Sequence, residues 1–221
     1  MKYKQFYWES SLNDKNYNEF NERIKVYYEK YRSNKEKKSY TELKNKSALN
    51  NLFIKRKTSR DFKVAIAKDE LNNLLDATFN ISYPSAGALY GLEIYCFVIN
   101  VKGLTQGVYK MEKEGELTIF AETNDMKELI NTLTLNYYLI DCSSCYFIIV
   151  AHTETYIQKY GERGFRFALQ ESGHLAQNIV LKATELSLRT FISGGYIEER
   201  YAEVLDLSKD EFVIYEIAIG K

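Results

Sequence analysis

The sequence predicts an α+β fold, with a central, mainly antiparallel sheet flanked by helices. Three observations lead there. Short runs rich in β-branched and aromatic residues recur at 93–101, 107–111, 116–121, 145–151, 189–193 and 211–219. Helical periodicities lie among them without the regular strand–helix–strand alternation that builds a parallel sheet. Neither a G-x-G-x-x-G fingerprint nor a P-loop occurs, so a nucleotide-like cofactor would need another scaffold.

The elements follow in order. Residues 1–48 are polar, charged and tyrosine-rich, and are expected to form an N-terminal helical extension to a main domain at 49–221. Within the extension, Phe20, Ile24, Tyr27, Tyr28 and Tyr31 recur at roughly helical spacing, which predicts an amphipathic helix over 17–31 laid on the body. Residues 68–79 read as a helix with Leu71, Leu74, Leu75 and Phe79 on one face. After the strand at 93–101, the runs 107–111 and 116–121 read as a hairpin turning at Glu114-Gly115. A helix is expected over 125–133. The unbroken apolar run Cys145 to Ala151 suits a buried strand. From Gly164 to Leu186, Phe165, Ala168, Ala176, Ile179, Val180, Ala183 and Leu186 keep a three-to-four spacing that predicts a long helix. A short strand at 189–193, a helix at 198–205 and a last strand at 211–219 complete the chain.

Composition excludes several function classes. The 221 residues, 45% of them hydrophobic, suffice for one sizeable core with an appendage. Thirty basic and 30 acidic residues leave no net charge, unlike the basic footprint of a nucleic-acid binder. No run approaches the roughly 18 to 20 apolar residues of a membrane span, and the N-terminus lacks the apolar stretch of a secretory signal. The expectation is a soluble, cytoplasmic protein. Cys96, Cys142 and Cys145 are too few for a disulfide framework, and Cys142-x-x-Cys145 has no second pair to complete a structural zinc site. With only His152 and His174, an all-histidine metal site is excluded, and no metal is expected.

Four clusters could carry chemistry. Arg56, Thr58 and Arg60 set two guanidiniums and a hydroxyl within five residues, a donor set that could converge on a phosphate or could simply be a solvated basic patch. Around the chain's single proline, Tyr83-Pro84-Ser85-Ala86-Gly87-Ala88-Leu89-Tyr90 forms a rigid small-residue loop that lets a flat ligand approach the backbone, or a plain turn before a strand. Lys159 and Tyr160 are adjacent titratable groups with Arg163 and Arg166 nearby; they could work as general bases, or belong to a charged loop capping the long helix. Gly173-His174-Leu-Ala-Gln177-Asn178 places a glycine inside a helix, which suits close packing of a neighbour. Downstream, Gly194-Gly195 exposes backbone N–H groups or is just a turn.

Taken together and in this order, Arg56-x-Thr58-x-Arg60, the Pro84–Tyr90 stretch, Gly107-Val-Tyr, Lys159-Tyr160-Gly-Glu-Arg-Gly-Phe-Arg-Phe, Gly173-His-x-Ala-Gln-Asn and Gly194-Gly195 resemble the SagB-type dehydrogenase family. That family belongs to the FMN-dependent nitroreductase superfamily, and the resemblance covers about residues 50–220. It departs at Gly91, where many relatives carry proline, and at Thr58, where serine is commoner. The resemblance implies a nitroreductase-like α+β fold, an intertwined homodimer and FMN held at its interface. Arg56, Thr58 and Arg60 would then hold the phosphate and ribityl chain. Pro84, Ser85, Ala86 and Gly87 would lie against the flavin, with Gln177, Gly194 and Gly195 also contributing to the cofactor site. Lys159 and Tyr160 match the catalytic pair of azoline oxidases. The implied activity is oxidation of thiazolines or oxazolines in a precursor peptide to azoles, beside a cyclodehydratase. Two alternatives stay open: an NAD(P)H-dependent flavin reductase, and a non-catalytic scaffold of a peptide-modifying complex.

Overall fold

The computed structural model describes residues 2–31, 47–112, 115–123 and 125–221. Its helices are α1 (Lys2–Ser10), α2 (Tyr17–Tyr31), α3 (Ala48–Lys55), α4 (Lys68–Asn80), α5 (Met126–Leu133), α6 (Thr153–Tyr160), α7 (Gly164–Glu185) and α8 (Glu198–Val204). The strands are β1 (Leu92–Val98), β2 (Gly107–Met111), β3 (Leu117–Ala121), β4 (Cys145–His152), β5 (Arg189–Ser193) and β6 (Glu211–Gly220). They form one six-stranded sheet in the order β3-β2-β1-β4-β6-β5, and every neighbouring pair is antiparallel. The tip of the β2–β3 hairpin at Glu114 and most of the Lys/Glu-rich stretch at 29–38 lie outside the described residues.

Strand β4 explains the sheet's two-sided burial. Cys145, Phe147 and Ile149 pack into one core with Leu71, Leu74 and Leu75 of α4 and Leu175, Ala176, Ile179 and Ala183 of α7. The alternate residues Tyr146, Ile148 and Val150 pack into a second core with Met126, Ile130 and Leu133 of α5 and Tyr201 of α8. Successive side chains of a strand point to opposite faces, so helices on both faces demand an unbroken apolar run in the middle strand. In α7, Ala168, Leu175, Ala176, Ile179 and Ala183 form the buried stripe, joined by Glu171 and Ser172.

The extension splits into two behaviours. On α1, Tyr3 and Tyr7 are buried against Phe165 and Phe212, with the Tyr7 and Phe212 rings 4.2 Å apart. Tyr7 also donates to the carbonyl of Val213 at 3.1 Å. Helix α2 forms over 17–31, but its Phe20, Ile24 and Tyr27 are exposed rather than laid on the body. Strand β1 stops at Val98, earlier than the composition of 93–101 suggested, because the N–H groups of Ile99 and Asn100 both turn to the carbonyl of Ser144. Helices α1, α3 and α6 were not anticipated: each spans only eight or nine residues, and α6 begins immediately after β4.

Candidate active site

The loop at 82–91 carries unusual backbone. Gly87 sits at φ +63° inside a 3-10 turn over Ala86–Ala88, and Ala88 and Tyr90 also have positive φ, 54° and 48°. Each of the latter two costs about 1–2 kcal/mol for an L-residue, so the loop must be held by its neighbours. Helix α7 does much of this. Ser85 Oγ donates to Glu171 Oε2 at 2.6 Å, and the same Oγ accepts from the N–H of Tyr90 at 2.9 Å. One and two turns further on, His174 Nδ1 lies 2.9 Å from the Pro84 carbonyl, and Asn178 Nδ2 donates to the Ser82 carbonyl at 3.3 Å. From α6, the Tyr156 hydroxyl accepts from the N–H of Gly91 at 3.0 Å. The glycine is needed there, because a Cβ at Gly91 would fall 2.6 Å from the Tyr156 ring.

Lys159 and Tyr160 meet this loop. They form the last turn of α6 rather than part of a charged loop, and they project onto Gly87. Lys159 Nζ approaches the Gly87 carbonyl at 3.5 Å and lies 5.4 Å from the centre of the Tyr160 ring. A Cβ built on Gly87 would collide with Lys159 Nζ and fall 2.5 Å from the Tyr160 hydroxyl. Two motifs 72 residues apart in the chain therefore share one small space. Lys159 is exposed and Tyr160 half-buried, its ring edge-on to Phe167 at 5.0 Å.

Beneath the loop lies an acid that composition did not single out. Glu171 is buried, and its Oε1 has no hydrogen-bond partner. Burial pushes its pKa up, against the opposing effects of Ser85 and Tyr156. Burial likewise raises Tyr156, whose phenol faces Glu171. The available signal was a carboxylate on the core-facing stripe of α7, in line with Ala168 and Leu175.

The arginine motif borders a separate concavity. Arg56 caps α3 and, with Lys57, Thr58, Gln177, Thr190 and Ile192, lines a cavity of about 100 Å³. This shares Lys57, Thr58 and Thr190 with a larger one of about 500 Å³ that also takes in Lys55, Ser59 and Arg189. Thr58 is placed by a parallel bridge to Thr190, and the Thr190 carbonyl accepts from Ser59 N–H at 2.9 Å. Arg60 does not line either cavity; its guanidinium stacks over Phe191, 4.8 Å from the ring centre. Cations, hydroxyls and the apolar Ile192 together fit a phosphate with a polyol chain beside an apolar group.

At the other side of β5, Ser193 leads into Gly194 and Gly195. Only Gly194 is exposed; the N–H of half-buried Gly195 donates to Ser193 Oγ at 2.8 Å. Away from these groups, His152 lies between two carboxylates, with Nε2 3.1 Å from Glu93 and Nδ1 2.9 Å from Glu211. Lys110 completes the network at 2.9 Å from Glu93. The glutamates face opposite ring nitrogens, and the contact with Glu93 raises the His152 pKa against its burial. The three cysteines are free thiols, Cys96 and Cys145 buried and Cys142 half-buried.

The nitroreductase family model matches residues 54–221. The chain belongs to the nitroreductase family. It is thus an oxidoreductase of a flavoprotein family with an all-antiparallel variant of the expected sheet. Among relatives of this nitroreductase-family chain is a provisionally named nitroreductase of Methanocaldococcus jannaschii, MJ1384. It is 31% identical over 181 residues, which cover 78% of this chain and 90% of that protein. The microcin B17-processing protein McbC of Escherichia coli is 28% identical over 140 residues, 58% of this chain but 48% of McbC. Among solved structures, a provisionally named nitroreductase from Anabaena variabilis superposes with a TM-score of 0.70 at 28% identity over 78% of this chain, which spans only 38% of that longer one. A chain of the E. coli microcin synthetase McbBCD complex with truncated pro-MccB17 has the same fold, with a TM-score of 0.67, 24% identity, and coverage of 89% of this chain and 81% of that one. No helix among the described residues is long and apolar enough to cross a membrane.

Proposed function

We propose that this protein is an FMN-dependent dehydrogenase that oxidises thiazolines or oxazolines of a precursor peptide to azoles, as a homodimer working beside a cyclodehydratase. The observation that carries the reading is the packing of Lys159 and Tyr160 onto Gly87 of the Pro84–Gly87 loop. The similarity to McbC, and a neighbour from a microcin synthetase complex bound to its pro-peptide, support a peptide substrate and a cyclodehydratase partner.

Arg56, Thr58, Arg60 and Gln177 would hold the phosphate and ribityl end of FMN, and Pro84 to Gly87 with Gly194 and Gly195 would border its ring. Bound FMN would supply the two-electron acceptor. Aromatising an azoline removes two hydrogens, one as a proton and one with its bonding electrons. Lys159 or Tyr160 would take the proton. Gly87 keeps both groups close, since any side chain there would displace them. Support for the homodimer comes from two directions. Leu49, Phe53 and Ile54 of α3 are exposed. On α7, the residues that hold the 82–85 loop (171, 174, 178) and those that line the phosphate cavities (177, 180, 184) lie roughly a third of a turn apart. A second protomer would bring the two faces onto one ligand.

The test is the pair Lys159→Ala and Tyr160→Phe, purified with flavin absorbance recorded and assayed for azole formation on a cyclised peptide. Loss of roughly 10²-fold or more with FMN retained is expected for removal of a general base. Full activity in both variants would sink these roles. A second reading, a nicotinamide-dependent flavin reductase, is favoured by the match to MJ1384 over 90% of its length. Rapid NAD(P)H consumption with a nitroaromatic or quinone, insensitive to both substitutions, would select it. A colourless protein that takes up no FMN would leave only a scaffold role.

A further inference from the structure

Strand β6 carries an acid, Glu216, in the middle of its Phe212–Ile219 stretch, and it is fully buried. Its Oε2 accepts from the Tyr201 hydroxyl at 2.8 Å, and its Oε1 from the Thr134 hydroxyl at 2.8 Å. Asn136 is the link to the glycine turn. Its Nδ2 lies 2.7 Å from Ser193 Oγ, 3.1 Å from the Gly195 carbonyl, and 3.4 Å from both Thr134 Oγ1 and Glu216 Oε1. An amide nitrogen has two hydrogens, so four acceptors compete for them. The turn depends on the same atoms: Ser193 Oγ accepts from Gly195 N–H, and the Gly195 carbonyl accepts from Leu135 N–H at 2.8 Å. None of these side chains belongs to the motifs that the sequence singled out.

We propose that Glu216, acting through Asn136, is a positioning residue that sets the geometry and local charge of the Ser193–Gly195 turn, and thereby the reduction potential of a flavin bound against it. The inference rests on the flavin reading given above. Its physical basis is the contest at Asn136. An ionised Glu216 is a stronger acceptor and draws an amide hydrogen away from the turn; a neutral one releases it to Ser193 and Gly195. An anion buried beneath the turn also disfavours added electron density above it, and low-dielectric surroundings strengthen that effect. The carboxyl is poised for such a change, because burial raises its pKa to about 7, with the hydrogen bonds from Thr134, Tyr201 and Asn136 opposing. Among the described residues, the titratable groups facing it are phenols: Tyr201 from α8, Tyr146 from β4 and Tyr196 just after the turn.

The experiment uses the full chain, Glu216→Gln and Asn136→Ala. FMN binding is measured by absorbance and fluorescence titration, and the midpoint potential by dye equilibration, from pH 5.5 to 8.5. The side-chain amide of E216Q fits the same site because both hydroxyl partners can turn to accept. Wild type and E216Q should share one potential below pH 6 and diverge above pH 7. There E216Q should favour the reduced flavin by about tenfold, ~30 mV for a two-electron couple. N136A retains the acid and its through-space effect but loses the relay, so its pH-dependent break should be smaller than that of wild type, and it carries the test if E216Q does not fold. Parallel potentials across the whole range in all three proteins would overturn the proposal and leave the flavin reading intact. Failure of wild type itself to bind FMN would overturn the flavin reading and the proposal with it.

Discussion

Replacing Gly87 by alanine separates backbone strain from displacement of the neighbouring pair. At φ +63° an alanine costs about 1–2 kcal/mol. A loss of ~1 kcal/mol lowers the melting temperature of a chain this size by about 2–4 °C, so strain alone lowers it by about 2–8 °C. The new methyl adds a second effect. It would fall 2.5 Å from the Tyr160 hydroxyl and collide with Lys159 Nζ. Both are ends of side chains that can swing clear, so the extra stability cost is small. Restoring contact moves the reactive groups by about 1 Å, and a misplacement of that size can lower a rate by about 10²-fold. Gly103→Ala is the control: its φ is +84°, but the nearest atom to a Cβ there is Lys68 Cβ at 3.7 Å. Urea unfolding should show similar losses for the two variants, while azole formation at saturating FMN should fall only in Gly87→Ala. Equal stability losses with the activity of Gly87→Ala within twofold of wild type would refute the claim that Gly87 positions Lys159 and Tyr160.

Two further expectations concern stability. At Gly164, helix propensity favours alanine by up to about 1 kcal/mol, yet a Cβ there would lie 2.6 Å from the backbone C and O of Tyr156. Backbone cannot rotate away, so Gly164→Ala should destabilise by ~1–3 kcal/mol in thermal melts, and a stabilised variant would show that α6 and α7 part easily. The His152 network predicts a pH slope. The contact with Glu93 raises the pKa of His152 above 6.5, against its burial. The stability this charge contributes is therefore fully present below about pH 6.5 and lost as pH rises through the raised value. Burial opposes ionisation of Glu93, but His152 and then Lys110 outweigh it and hold the pKa near 2, so its contribution is present above about pH 4.5 and lost as pH falls toward 2. The difference in urea midpoint between wild type and His152→Gln should shrink from pH 6 to pH 9; a constant gap would mean that His152 is neutral in the fold.

Much of the architecture could be read from the order of residues because its causes are local or periodic. Gly107–Met111, Arg189–Ser193 and the long helix from Gly164 stand where alternation and three-to-four spacing placed them. A central strand buried on both faces leaves an unbroken apolar run, and Cys145 to Ala151 shows one. Elements without such a signature went unread. Helix α1 buries only Tyr3 and Tyr7, so its stability comes from Phe165 and Phe212, more than 150 positions away. The exposed face of α2 shows the converse: helical spacing foretells a helix but not what covers it.

The composition and motif order by themselves determined an α+β chain with a candidate phosphate-binding arginine segment, a small-residue loop and a lysine–tyrosine pair. Those rest on residue types and short spacings, which a linear chain carries. Only the tertiary structure decided that Lys159 and Tyr160 close on Gly87, that Arg60 stacks on Phe191 outside the cavities lined by Arg56 and Thr58, and that Gly195 spends its N–H on Ser193. It alone showed why two acids, Glu171 and Glu216, interrupt apolar stripes: each is sunk beneath a loop whose polar atoms it holds. Such a role depends on partners that meet only when α7 packs on the sheet and β6 pairs with β5, and no spacing within a helix or strand records that meeting.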